Sequence, residues 1–147
     1  MKMDLIKQAV LETATFLHGP SYVEDTYQGC LAYHLRRLGF KVEREKEIEY
    51  RMHDGAVIGK GRMDLYVVDK IPWIIEIKVA NGPRLTPKAK ALLRGQLTRY
   101  LRHAGTPVMG MEIVFGLTFK DYRSRPPEWS YSIVVNSDDE NLLSINA

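Results

Sequence analysis

Hydrophobic positions recur along the chain first at helical spacing, then in alternation, then at helical spacing again. Leu5, Ile6, Ala9, Val10, Thr13, Phe16 and Leu17 mark a short amphipathic helix over residues 3–17. His18-Gly19-Pro20-Ser21 breaks it, and Ser21 is placed to cap a second helix. Val23, Tyr27, Cys30, Leu31, His34, Leu35 and Leu38 form the stripe of that helix, which Gly39 ends. From Phe40 to Met52 the period becomes two, with Glu43, Glu45, Glu47 and Glu49 on one face and Val42, Ile48, Tyr50 and Met52 on the other. His53-Asp54-Gly55 signals a turn, so a hairpin is expected. Residues 62–68 and 73–79 read as two more strands, joined across Asp69-Lys70-Ile71-Pro72. A loop punctuated by Asn81-Gly82-Pro83 and Pro87 leads to a helix over residues 88–103, which Gly105-Thr106-Pro107 ends. Strands over residues 112–119 and 130–135 close the chain. This order implies an α/β sandwich with a mixed sheet rather than a regular βαβ alternation. No repeat or linker interrupts it, so residues 1–147 are expected to form one domain.

The 147 residues, 45% apolar and 27% charged, suffice for an ordinary core without a disulfide or structural metal. One cysteine, Cys30, excludes a disulfide framework, a cysteine-based zinc site and a four-cysteine iron–sulfur cluster, and reads as a small buried hydrophobe. No apolar run reaches membrane-spanning length and Met1-Lys2-Met3-Asp4 opens no signal core, so a cytoplasmic protein without a membrane partner is expected. The net charge of +3 says little by itself. Its distribution says more: residues 1–80 carry 12 Lys/Arg against 12 Asp/Glu, whereas residues 79–111 hold Arg84, Lys88, Lys90, Arg94, Arg99 and Arg102 and no acid. Asp138-Asp139-Glu140 makes the tail acidic.

Trp73-Ile74-Ile75-Glu76-Ile77-Lys78-Val79 opens with apolar residues, the mark of a buried strand, yet carries two charges. Glu76 and Lys78 project from one face roughly 7 Å apart. Asp64 sits in the same way between Met63 and Leu65 of the preceding strand. Buried charges cost several kcal/mol (about 3–5 for a broken pair) unless paired or bound to a cation. Lys78 can neutralise one carboxylate as an ion pair, which leaves the second unpaired. Two carboxylates and a hard divalent cation such as Mg²⁺ satisfy one another.

Asp64, eleven residues, then Glu76-Ile77-Lys78 resembles the D-(x)n-(D/E)-x-K core of the PD-(D/E)XK nuclease superfamily. Glu24, on the helix before the strands, matches the glutamate that commonly completes its acidic cluster. Gln96-Leu97-Thr98-Arg99-Tyr100 is similar to the Q-x-x-x-Y motif of RecB-like members. Gly19-Pro20-Ser21-Tyr22-Val23-Glu24-Asp25-Thr26-Tyr27, with Gly61-Arg62-Met63-Asp64-Leu65 and the motifs above, resembles the GxxExxY branch over residues 19–105. Ser21 and Glu45 depart from that branch, which has glycine and glutamine there.

The resemblance implies a restriction-endonuclease-like αβββαβ core over about residues 19–120, a central mixed sheet flanked by helices, here with an extra N-terminal helix and an extra C-terminal strand. It implies a metal-dependent nuclease acting on DNA; an RNA-directed nuclease is an alternative. Asp64, Glu76, the Ile77 carbonyl and Glu24 would hold Mg²⁺ or Mn²⁺, and Lys78 would assist the attacking water. Gln96 and Tyr100 would complete the catalytic set. Arg84, Lys88, Lys90, Arg94 and Arg99 are the candidate phosphate contacts. Alternatives are a Holliday-junction-resolvase-like endonuclease and a non-catalytic nucleic-acid-binding protein on the same fold. So small a chain leaves room for a homodimer or a partner protein.

Overall fold

The long hairpin predicted from the alternating segment exists, but its two halves bury opposite faces. β1 (Lys41–Arg51) and β2 (Val57–Val68) pair antiparallel from Lys41↔Val68 to Arg51↔Val57. The tip closes where Met52 N donates to Ala56 O at 2.8 Å and Gly55, with φ of 91°, supplies the left-handed residue. On a regular strand, residues two apart share a face. Here Val42, Leu65 and Val67 join the cluster beneath the two N-terminal helices, whereas Ile48 and Met63, of the same parity, join the cluster beneath the later helix. The reversal falls at Glu45 and Asp64. Glu45 carries a φ of 55°, a conformation uncommon outside glycine, and the register sets it opposite Asp64. The four glutamates therefore do not form one solvated row: Glu43, Glu47 and Glu49 pair with Lys46, Lys60 and Arg51, while Glu45 turns to the helix layer.

The computed structural model describes residues 2–17, 22–80, 85–117, 129–136 and 142–146, with side chains described from Met3 to Gly116 within those ranges. The remaining elements are α1 (Lys2–Phe16), α2 (Glu24–Arg37), β3 (Trp73–Ala80), α3 (Pro87–His103), β4 (Met109–Leu117), β5 (Trp129–Asn136) and β6 (Leu142–Asn146). One mixed sheet runs in the order β1-β2-β3-β4-β5-β6. Only β3 and β4 run parallel, and α3 is the crossover that a parallel pair requires. Two strands thus follow the αβββαβ core where one was expected; β6, Leu142-Leu143-Ser144-Ile145-Asn146, is too short to announce itself by alternation. The acidic segment Asp138-Asp139-Glu140 lies outside the described residues.

Helices cover both faces. α1 and α2 bury Ile6, Ala9, Val10, Tyr27, Leu31 and Leu35 against Leu65, Val67, Ile75, Ile77 and Phe115. α3 buries Leu93, Leu97 and Tyr100, and its cap is Thr86, whose hydroxyl accepts from Ala89 N at 3.2 Å. The α2 stripe is rotated from the one read in the sequence: Gln28 is buried and Val23 is exposed, serving as an extended N-cap without a side-chain bond. Ser21, the expected cap, lies outside the described residues. Among the described residues no helix is long and apolar enough to cross a membrane.

Candidate active site

β2 and β3 form ladder pairs only at Val67↔Trp73, Tyr66↔Ile74 and Leu65↔Ile75. The next two facing residues are Asp64 and Glu76, and there side-chain oxygens take the place of backbone carbonyls. Ile77 N donates to Asp64 Oδ2 at 2.8 Å, and Asp64 N donates to Glu76 Oε1 at 3.4 Å. The strands separate around two carboxyl groups, and the backbone donors freed by the separation are satisfied by those same groups. Glu76 is 1% exposed. Burial and the adjacent Asp64, to which its side chain is hydrogen-bonded, push its carboxyl up to about 10. Burial likewise raises Asp64, against the hydrogen bonds from Glu76 and the Ile77 N–H, with Glu45 opposite adding to the rise.

Glu24 opens α2, and Lys78 lies two residues beyond Glu76 on the same face of β3. Lys78 Nζ stands 3.7 Å from Glu24 Oε2, with both side chains nearly half exposed. Burial raises the Glu24 carboxyl, Lys78 pulls it down, and the charge of Asp64 raises it again. Glu24 also acts on Glu76. Four residues from α2, β2 and β3 therefore share one electrostatic site whose mouth is Glu24 and Lys78 and whose floor is Glu76.

Gln96 and Tyr100 lie one turn apart on α3 and their polar ends meet; burial raises the Tyr100 hydroxyl and the charge of Glu76 adds to the rise. Gln96 Nε2 donates to Tyr100 Oη at 2.9 Å, and Tyr100 Oη donates to the Arg62 carbonyl at 2.9 Å. The pair fastens α3 to β2 two residues before Asp64. Gly61 makes that approach possible, since a Cβ there would come within 2.6 Å of Tyr100 Cε1 and also collide with Tyr50.

The basic residues distribute differently from one another. Lys88, Lys90 and Arg99 are exposed on α3, and on the helical wheel Lys88 and Arg99 lie opposite the sheet-facing Leu93, Leu97 and Tyr100. Arg94 is engaged otherwise: its Nε and Nη2 clasp the carboxylate of Glu112, which is 5% exposed on β4 beside Glu76. Arg84 lies outside the described residues. Glu112 is a residue that the sequence reading passes over, although Met111-Glu112-Ile113 has the same acid-in-apolar-strand signature as Ile75-Glu76-Ile77. Gln28 and the Arg62 carbonyl carry no such signal. His34 pairs with Glu12 at 3.1 Å and ties α2 to α1. Cys30 is half-buried and its thiol is raised by that burial, which makes it a poor nucleophile.

A family profile described as the PD-(D/E)XK nuclease superfamily matches residues 3–125. The chain belongs to the PD-(D/E)XK nuclease superfamily. Its architecture is the restriction-endonuclease-like core of that superfamily, and membership assigns the chain to the nuclease hydrolases, which act on nucleic acid and use divalent metal ions, typically Mg²⁺ or Mn²⁺. No curated protein and no solved structure matches the chain.

Carboxylate and carbonyl oxygens, with neither sulfur nor imidazole, are the donor set of a hard divalent ion. Two carboxyl groups that burial and mutual proximity push up mark where positive charge is wanted, and a cation satisfies both. As the side chains stand, no three acidic, histidine or cysteine groups among the described residues converge to ligand spacing, and Glu24 pairs with Lys78. The arrangement fits an ion held by the two carboxylates and otherwise hydrated, as Mg²⁺ prefers. It does not form a closed protein cage.

Proposed function

We propose that the chain is a metal-dependent deoxyribonuclease of the GxxExxY, RecB-like kind, hydrolysing phosphodiester bonds at the splayed junction of β2 and β3. The observation that carries this reading is the replacement of ladder bonds by Asp64 and Glu76 with Lys78 next on the same strand face. Asp64, Glu76 and the Ile77 carbonyl would hold Mg²⁺ or Mn²⁺, with Glu24 binding directly or through water. A divalent ion there supplies Lewis-acid polarisation of the scissile phosphate and makes a water acidic enough to attack near neutral pH.

The chain's own residues do the rest. Lys78, nearly half exposed at the mouth, orients the attacking water and offsets the charge that builds on the phosphoryl oxygens. Glu24 holds the Lys78 ammonium over the carboxyl floor until substrate phosphate competes for it. Tyr100 and Gln96 act one step back, fixing the strand that carries Asp64 through the Arg62 carbonyl. Lys88, Lys90 and Arg99 remain the candidates for phosphate contacts away from the reacting centre, which position nucleic acid without reading sequence. Arg94 leaves that set because Glu112 holds it.

The test is cleavage of end-labelled single strand, linear duplex, four-way junction and RNA with Mg²⁺, Mn²⁺ or EDTA. Metal-dependent cutting of a DNA substrate supports the reading. Binding of DNA without cutting under any metal would leave a non-catalytic protein on this fold, and cutting of RNA alone would move the substrate class.

A further inference from the structure

Gln28 lies one turn below Glu24 on the same face of α2 and is 3% exposed. A buried amide is costly unless both its ends are bonded, and here both are. Its Nε2 donates to Glu45 Oε1 at 3.0 Å, and its Oε1 accepts from Arg44 Nε at 3.1 Å. Arg44 closes the network on the helix side, donating to the Asp25 carboxylate at 3.2 Å and packing over Gly29, where a Cβ would come within 3.3 Å of the guanidinium. On the strand side it ends at Glu45, the residue with φ of 55° that the register places opposite Asp64. The network therefore joins the first turn of α2, which presents Glu24, to the point on β1 that backs Asp64.

Left-handed backbone at a non-glycine residue persists only where its surroundings hold it. Gln28 is what holds the Glu45 side chain. Were β1 regular at this point, residue 45 would keep its place in the outward row with Glu43 and Glu47, and α2 would lose its hydrogen bond to the strand at the level of the site.

We propose that Gln28, with Arg44 and Glu45, is a positioning clamp that fixes the first turn of α2, and with it Glu24, relative to Asp64 and thereby tunes divalent-metal affinity. The proposal rests on the nuclease reading above, and it assigns these residues no contact with the metal or the substrate. Its support is geometric: a single buried amide bridges the element carrying one metal-site carboxylate and the strand residue facing another.

The experiment is calorimetric titration with Mn²⁺ in the absence of nucleic acid, for wild type, Gln28→Ala, Glu45→Ala and Glu45→Gln, each also in a Glu24→Gln background. Residues that orient metal ligands typically change affinity about 10–100-fold, so Gln28→Ala and Glu45→Ala are expected to weaken Mn²⁺ binding about tenfold. Glu45→Gln keeps the acceptor for Gln28 without the charge and is expected to retain most of the affinity. In the Glu24→Gln background the alanine substitutions are expected to change little, since the carboxylate they position is gone. Glu45 is exposed, so its variants test the clamp even if Gln28→Ala fails to fold.

Equal losses in both backgrounds, or no loss, would overturn the clamp. So would a Glu45→Gln variant as weak as Glu45→Ala, which would assign the effect to the charge rather than the hydrogen bond. A wild-type protein that binds Mn²⁺ and cuts nucleic acid while the losses are additive removes the clamp alone. A wild-type protein that does neither removes the nuclease reading and the clamp with it.

Discussion

Replacing Glu76 by glutamine should stabilise the metal-free protein, and the gain should grow with pH. The folded protein holds the Glu76 proton up to about 10, whereas in the unfolded chain that carboxyl titrates at its ordinary 4.5. Between those values the folded state binds a proton that the unfolded state has released, so stability is full below the unfolded value and is lost as pH rises. Each pH unit in that window removes up to about 1.4 kcal/mol. Interaction with Asp64 spreads the titration, so from pH 5 to 8 the loss amounts to about 2–4 kcal/mol. That is a large part of the roughly 5–15 kcal/mol by which domains are stable. Glutamine keeps the shape of the protonated carboxyl and a donor for Asp64 but has no proton to lose. Urea denaturation in EDTA at intervals from pH 5 to 9, at fixed ionic strength, reads the difference between wild type and Glu76→Gln, which cancels groups titrating elsewhere. A difference near zero at pH 5 that grows to about 2–4 kcal/mol in favour of Glu76→Gln at pH 8 is expected. A variant less stable than wild type across the range would refute the assignment of a buried, hydrogen-bonded carboxyl pair.

Three single contacts carry measurable consequences of their own. Arg94→Ala leaves the Glu112 carboxylate buried and unpaired; because Arg94 is itself 38% exposed and water can enter, the cost in thermal or urea unfolding should be about 2 kcal/mol, below that of a fully buried pair. Tyr100→Phe removes the donor to the Arg62 carbonyl and the acceptor for Gln96, and should cost about 1–2 kcal/mol in urea unfolding together with a fall in cleavage rate. Gly61→Ala forces a methyl group against Tyr50 and Tyr100 and should cost about 1–3 kcal/mol, with near-ultraviolet circular dichroism reporting the displaced rings.

The acids of the candidate site are legible in the sequence because they violate a rule: Glu76 interrupts an apolar strand, Asp64 does so one strand earlier, and such residues demand a partner. What they do to the sheet is not legible, since no residue type announces that a ladder will open and hand its backbone donors to carboxylates. The alternation from Phe40 to Met52 is read correctly as a strand and incorrectly as one with constant faces. The reversal depends on the left-handed conformation at Glu45, which glutamate rarely adopts and nothing local advertises. Gln28 escapes notice for a related reason: a helical glutamine is usually at the surface, and only the fold shows both ends of this one bonded. The ion pair of Arg94 is not legible because its partner, Glu112, stands on a strand 18 residues away. Gln96 and Tyr100 are placed on one helix face correctly, and the structure adds that they grip the Arg62 carbonyl.

At the centre of the proposed mechanism, Asp64 and Glu76 bind the metal and Lys78 acts on the reacting phosphate, which separates binding from chemistry. Mn²⁺ titration and DNA cleavage measured side by side on wild type, Asp64→Asn and Lys78→Ala test this directly. Asp64→Asn is expected to lose both metal binding and cleavage, while Lys78→Ala binds Mn²⁺ and no longer cuts. Cleavage at the wild-type rate by either variant would contradict the mechanism.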